Sequence, residues 1–295
     1  MTVALAARSL RKRFGRRAVI DGLVLEVHEG ETYGFLGRNG AGKSTVIHMF
    51  LGVLRPDGGE VELLGRRAAT PPPAWRRDVG FVAQEPRFDP WATARDLGAF
   101  LRPFYPTWDD AHFTELLGVL GVPVDQKSET LSVGMRTRLA LALALAHRPR
   151  VLILDEPTAG LDPIARRVFQ DILRETARAH ARTTFFSSHN IDDIERLADR
   201  VGVLDGARLR YEGPIGDVTD SVRTVTLDGW YDPHAPPPAP PGFELLRLTR
   251  SPRYAATYRA PPAAWEAAAL PPERVARLPF EDAVVALMTP REMVA

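Results

Sequence analysis

A chain of 295 residues is long enough for one large domain or two smaller ones. Its 45% apolar and 25% charged content is ordinary for a soluble globular protein, and a net charge of +1 argues against a dedicated nucleic-acid domain. The absence of cysteine excludes disulfides and thiolate metal sites.

Val3–Leu10 reads as a strand, followed by a basic turn up to Arg17 and a second strand over Val19–Val27. The apolar N-terminal stretch is short and precedes its charges, so no signal peptide is expected. Tyr33–Leu36 predicts a strand running into a glycine-rich loop, with a helix from about Lys43 to Leu54 behind it. Val61–Leu64 and Val79–Val82 read as strands, and residues 93–147 as mostly helical. Leu139–Ala146 alternates Leu and Ala with the period of a strand. Both are strong helix formers and no β-branched residue occurs, so a buried helix is expected, with Ser132 near its start and Pro149 beyond its end. This longest apolar run falls far short of the ~18–20 residues of a membrane span.

Val151–Leu154 is wholly apolar, as in a strand buried on both faces. A helix (Pro163–His180), a strand (Thr183–Ser187), a helix (Ile191–Ala198) and a strand pair (Val201–Leu204, Arg208–Tyr211) follow. Strands separated by helices imply a parallel, helix-covered sheet. After Asp220 the character changes. The stretch 233–241 holds six prolines in nine residues, a stiff connector. Around it lie strand candidates (Arg223–Leu227, Phe243–Leu248, Tyr254–Tyr258) and helix candidates (Ala263–Ala269, Phe280–Met288), a small α+β appendage without visible chemistry.

The chemistry starts at Gly37-x-x-x-x-Gly42-Lys43-Ser44, a phosphate loop between a strand and a helix. Gly37, Gly40 and Gly42 let backbone N–H groups curl inward around phosphate oxygens where a Cβ would interfere. The following helix presents its positive end to the anion. Lys43 adds a charge at the β- and γ-phosphates, and the Ser44 hydroxyl is a Mg²⁺ ligand. Asp155 and Glu156 end the buried strand, where carboxylates of parallel strands face the ligand crevice. Asp155 is expected to hold Mg²⁺ through water and Glu156 to polarise the attacking water.

Together these residues resemble the ATP-binding subunit of an ABC transporter over roughly residues 3–218, with seven motifs in the family's order. The resemblance implies an α/β P-loop NTPase core with a mixed sheet over residues 1–220 and an inserted helical subdomain at about 88–147. The C-terminal α+β accessory domain would then span 221–295. Phe14 matches the aromatic that stacks on adenine, and Gly37–Thr45 the Walker A loop, which brings Asn39, Ala41 and Thr45 into the ATP site. Gln84 matches the Q-loop, which senses Mg²⁺ and couples to the membrane subunit. Leu131–Met135 is similar to the signature, whose Ser132 and Gly134 serve the partner's ATP. Val151–Glu156 matches the Walker B strand and catalytic glutamate, Ala159–Asp162 the D-loop and its Asp162, and His189 the switch histidine at the γ-phosphate. Val133 and Met135 replace a glycine and a glutamine of the usual signature, which predicts weaker ATP-driven closure.

The implied cofactors are ATP and Mg²⁺. The implied partners are a second ATPase, identical or different, with ATP at the interface, and a membrane-integral permease. The resulting location is the cytoplasmic face of a membrane. Phe104–Asp109, the Gly134-Met135 variant and Glu281–Met288 look like the ABC-2 exporter branch, although Phe104 and Trp108 also fit core aromatics of the helical region. A soluble ABC ATPase acting on ribosomes or nucleic acid is the alternative. The single phosphate loop, the lack of long coiled coils and the weak net charge weigh against it. A GTPase or small-molecule kinase leaves Leu131–Met135 unexplained and lacks an Asn-Lys-x-Asp motif. For the C-terminal region, a regulatory or dimer-stabilising module competes with an inert cap.

Overall fold

The structure, a computed structural model, describes residues 2–67, 77–180, 182–227, 239–249, 254–268, 270–288 and 293–294. Every residue of Val151–Leu154 and of Thr183–Ser188 is buried, as strands covered by helices on both faces require. They lie within a six-stranded sheet of spatial order Arg208–Pro214, Arg200–Asp205, Thr32–Gly37, Thr183–Ser188, Val151–Leu154, Val79–Val82. Neighbours are parallel except for the edge hairpin Arg200–Asp205/Arg208–Pro214, so the sheet is mixed.

A second sheet, antiparallel, orders Arg17–His28, Val3–Phe14, Gly58–Leu63 and Arg66–Arg67. The basic turn expected between Arg8 and Arg17 is for the most part strand. Phe14 pairs with Arg17, and the turn tightens at Gly15, with φ 57°. Basic side chains are tolerated there because Arg8, Arg11 and Arg13 are exposed, Arg8 beside Glu26 and Glu62, and the half-buried Lys12 is paired with Asp57. The two sheets enclose an aromatic centre, with the Tyr33, Phe35 and Phe50 rings 5.5, 5.5 and 5.6 Å from Phe185.

The helix behind the phosphate loop is Lys43–Phe50, shorter than expected because the chain turns off at Gly52, with φ 64°. Helices Ala94–Leu101, Asp110–Val119 and Val133–Leu145 begin at side-chain caps from Thr93, Asp109 and Ser132. Such caps satisfy N–H groups that a helix start leaves open. The Leu/Ala stretch is buried in the third of these helices. Of the two aromatics open to either reading, Trp108 packs on Phe113, whereas Phe104 is 58% exposed beside Phe100.

Beyond Asp220 the structure departs from a separate appendage. A third sheet orders Val275–Arg277, Val222–Thr226, Ala255–Arg259, Glu244–Thr249 and Met293–Val294, over a small core with Tyr258 and Trp265. The final helix, Phe280–Met288, packs elsewhere. Its Phe280, Val284, Leu287 and Met288 join the main core with Ile194, Val201 and Val203. Helix Ile215–Ser221 spans the expected boundary, and its Val218 and the adjoining Val222 are buried in that same core. Of the proline-rich connector, residues 233–238 lie outside the described residues.

Candidate functional site

Register in the parallel sheet gathers the expected residues at one edge. Leu36 lies opposite Ser188, Phe186 opposite Leu154, and Leu154 opposite Val82. The segments that continue from these strands therefore emerge side by side, carrying Gly37–Thr45, Asp155–Glu156, His189 and Gln84.

The phosphate loop seats tightly against its surroundings. Gly42 precedes the helix with φ 109°, and a Cβ there would come within 2.9 Å of Val19 on the N-terminal hairpin. A Cβ on Gly37 would meet the Leu204 carbonyl at 2.8 Å. Only glycine fits either place. Arg38, Asn39 and Gly40 are exposed at the rim, and Ala41, Ser44 and Thr45 are half-buried. Phe14, on the same hairpin as Val19, is 52% exposed.

Lys43 lies inside this loop, its Nζ donating to the Gly37 carbonyl at 2.7 Å and the Arg38 carbonyl at 3.2 Å. The same ammonium is 2.8 Å from Glu156 Oε1. Both side chains are 5% exposed, so this is a buried, compensated pair. The other Glu156 oxygen meets His189 Nδ1 at 2.5 Å. Lys43, Glu156 and His189 thus form one unbroken line. Glu156 itself has φ 49°, a left-handed conformation that few residues other than glycine adopt.

Ser187 was not singled out by sequence. Its hydroxyl donates to Asp155 Oδ1 at 2.7 Å and accepts from the Glu156 N–H at 2.9 Å. The sequence signal was the run of hydroxyl residues, Thr183, Thr184, Ser187 and Ser188, around two phenylalanines in a wholly buried strand. Asp155 is 4% exposed.

Gln84 is exposed where its strand ends. Ser132 and Gly134 are drawn to a different neighbour. Ser132 caps its helix, accepting from the Met135 N–H at 3.2 Å. A Cβ on Gly134 would approach Leu161 at 3.0 Å, and one on Gly160 would approach Val133 at 3.7 Å. Signature-like and D-loop-like segments therefore touch. Ser132, Val133 and Asp162 are exposed there, and Asp162 Oδ1 accepts from the N–H groups of Ile164 and Ala165.

Two further features flank the site. A groove of about 560 Å³ runs between the sheet and the helical region, lined by Val53, Phe81, Phe88, Leu101, Tyr105 and His147 among others. His147 is buried against Tyr105, ring centroids 4.0 Å apart. Burial drives its pKa down to about 4, against the smaller upward pull of the Val79 and Leu143 carbonyls. On the other flank, Arg38 donates to the Met288 carbonyl at 3.4 Å, so the final helix reaches the phosphate loop.

The profile of the ABC transporter family matches residues 20–159. That span holds the phosphate loop, Gln84, Leu131–Met135 and Val151–Glu156. The chain is similar to the bacitracin transport ATP-binding protein BcrA of Bacillus licheniformis, 35% identical over 216 residues, which cover 72% of this chain and 71% of that protein. It is similar to the Nod factor export ATP-binding protein I of Burkholderia lata, 41% identical over 211 residues, 70% of this chain and 69% of that one. Among solved structures, the ATP-binding subunit of an ABC transporter matches with a TM-score of 0.67 at 25% identity, covering 73% of this chain and 91% of that chain. A dimeric ATP-binding cassette in a post-hydrolysis state shares the fold, with a TM-score of 0.65 at 23% identity, over 71% of this chain and 98% of that chain.

Proposed function

The chain belongs to the ABC transporter family, and from that premise we propose that it hydrolyses ATP to drive export through a separate permease. The carrying observation is the line Lys43–Glu156–His189, which runs from the phosphate loop across two strand ends. Lys43 supplies charge to the β- and γ-phosphates, exchanging the Glu156 carboxylate for phosphate oxygens when ATP binds. Glu156, released from that pair, accepts a hydrogen bond from the attacking water and polarises it. His189 steadies the carboxylate and contacts the γ-phosphate. Phosphoryl transfer needs mainly positioning and neutralisation, and these groups provide both.

The site's chemistry fits both ligands. The loop's curl at Gly37 and Gly42 leaves no room for side chains where phosphate oxygens need N–H donors. Ser44, Gln84 and Asp155 offer the oxygen ligands that Mg²⁺ takes alongside substrate phosphates. When bound, the ion supplies neutralisation of charge on the transferring phosphoryl group.

A second cassette completes the site. Ser132 and Gly134 present a hydroxyl and a helix N-terminus to the ATP of the opposite chain, and their exposed face together with Asp162 is available for that contact. No helix among the described residues is long and apolar enough to cross a membrane. We assign the translocation path to a permease subunit, with this chain at its cytoplasmic side, on the similarity to the ATP-binding proteins of bacitracin transport and Nod factor export. The apolar groove beside Gln84, with the exposed Phe100 and Phe104 on the same helical region, suits a permease loop.

Glu156→Gln tests the reading. The variant should keep ATP binding, with Lys43 freed of its competing carboxylate, and lose hydrolysis by at least two orders of magnitude. Turnover at the wild-type rate would overturn the assignment of Glu156.

A further inference from the structure

Asp193 is 1% exposed and lies in the helix Ile191–Leu197, just past His189. Its Oδ1 accepts from Arg166 Nε at 2.7 Å and Gln170 Nε2 at 2.6 Å. Its Oδ2 accepts from Thr158 Oγ1 at 2.6 Å and Ser188 Oγ at 3.1 Å. Two donors on each oxygen leave the buried carboxylate well satisfied, and Arg166 compensates its charge.

These donors come from segments that bear the reacting groups. Thr158 follows Glu156 by two residues, and Ser188 directly precedes His189. Arg166 and Gln170 lie on the helix that Asp162 caps. Neighbouring residues of a strand point to opposite faces. Ser187 therefore grips Asp155 and the Glu156 N–H on one side, while Ser188 grips Asp193 on the other. The Glu156–His189 contact is held between these two ties.

We propose that Asp193 is a positioning residue for hydrolysis, clamping the loop after Glu156 to the strand end before His189 so that the two catalytic side chains keep their register. This rests on the reading of Glu156 and His189 given above. A charge-paired hydrogen bond in a dry site is strong enough to fix such a register, and small misplacement of catalytic groups lowers turnover sharply.

The test cuts one arm of the clamp. Thr158→Val in the full-length chain removes a single donor and keeps the side chain's shape. Thr158→Ser keeps the hydroxyl. Steady-state ATPase kinetics, ATP-analogue affinity and thermal melting are measured for both, with Glu156→Gln as control. The expected result for Thr158→Val is a five- to tenfold lower kcat, with KM and analogue affinity within twofold of wild type. Thr158→Ser should recover the wild-type kcat. Asp193→Asn, which discharges the carboxylate, should lower kcat further where it folds. A Thr158→Val protein that melts earlier but turns over normally below its melting point has lost only packing, and that outcome overturns the clamp. Full turnover in Glu156→Gln instead brings down the underlying reading and the clamp with it. A dead Glu156→Gln beside a normal Thr158→Val sinks the clamp alone.

Discussion

Leu287→Ala tests whether the final helix is part of the ATPase core. Leu287 is 4% exposed and packs within the main core together with the fully buried Val284. Truncating a leucine so placed costs about 2–5 kcal/mol, through lost transfer energy and the cavity left behind. For a large domain each kcal/mol moves the melting point by roughly 2–4 °C, so a fall on the order of 4–20 °C is expected. The assay is thermal melting followed by circular dichroism, with ATP hydrolysis sampled along the ramp. One cooperative transition should shift, and activity should fall with it. Two transitions, with the activity-bearing one unmoved, would refute the reasoning. Truncation after Asp220 is correspondingly severe. Phe280, Val284, Leu287 and Met288 each contribute about 1.5–3 kcal/mol of burial, together comparable with the ~5–15 kcal/mol net stability of a whole domain.

His147 predicts a pH signature. Its folded pKa of about 4 lies below the ordinary value of 6.5, so the unfolded chain binds the extra proton first as pH falls. Relative to His147→Phe, the wild type should lose about 2 kcal/mol between pH 7 and pH 5 in urea melts, and parallel pH profiles for the two proteins would contradict it. At the signature, Val133→Gly combined with Met135→Gln should tighten the ATP-bound dimer about fivefold per site, about 30-fold for the two sites of a symmetric pair, for a regained hydrogen bond near 1 kcal/mol at each. Sedimentation in a Glu156→Gln background measures this, and unchanged or weaker association would count against it.

Much of the fold could be read because its strands and helices carry unmixed signals. Val151–Leu154 is apolar throughout, and the stretch Leu139–Ala146 lacks any β-branched residue. The N-terminal hairpin was harder, since exposed basic residues look the same in a turn and on the outer face of a strand. The destination of Phe280–Met288 was invisible for a different reason. An apolar helix face shows that it will be buried, but not against what. Lys43, Glu156 and His189 announce themselves by motif, whereas Ser187 and Asp193 are ordinary letters until the fold converges donors on them.

The final helix also bears on how the protein is made. The strand Arg200–Asp205 that it covers leaves the ribosome about 75 residues ahead of it, which at ordinary synthesis rates is roughly 4–15 s. Throughout that interval Val201 and Val203 lack part of their cover, and the phosphate loop lacks the carbonyl that Arg38 holds. A chain released early would display that apolar surface to chaperones and proteases. Only a chain translated through Met288 can seal the core around its nucleotide loop.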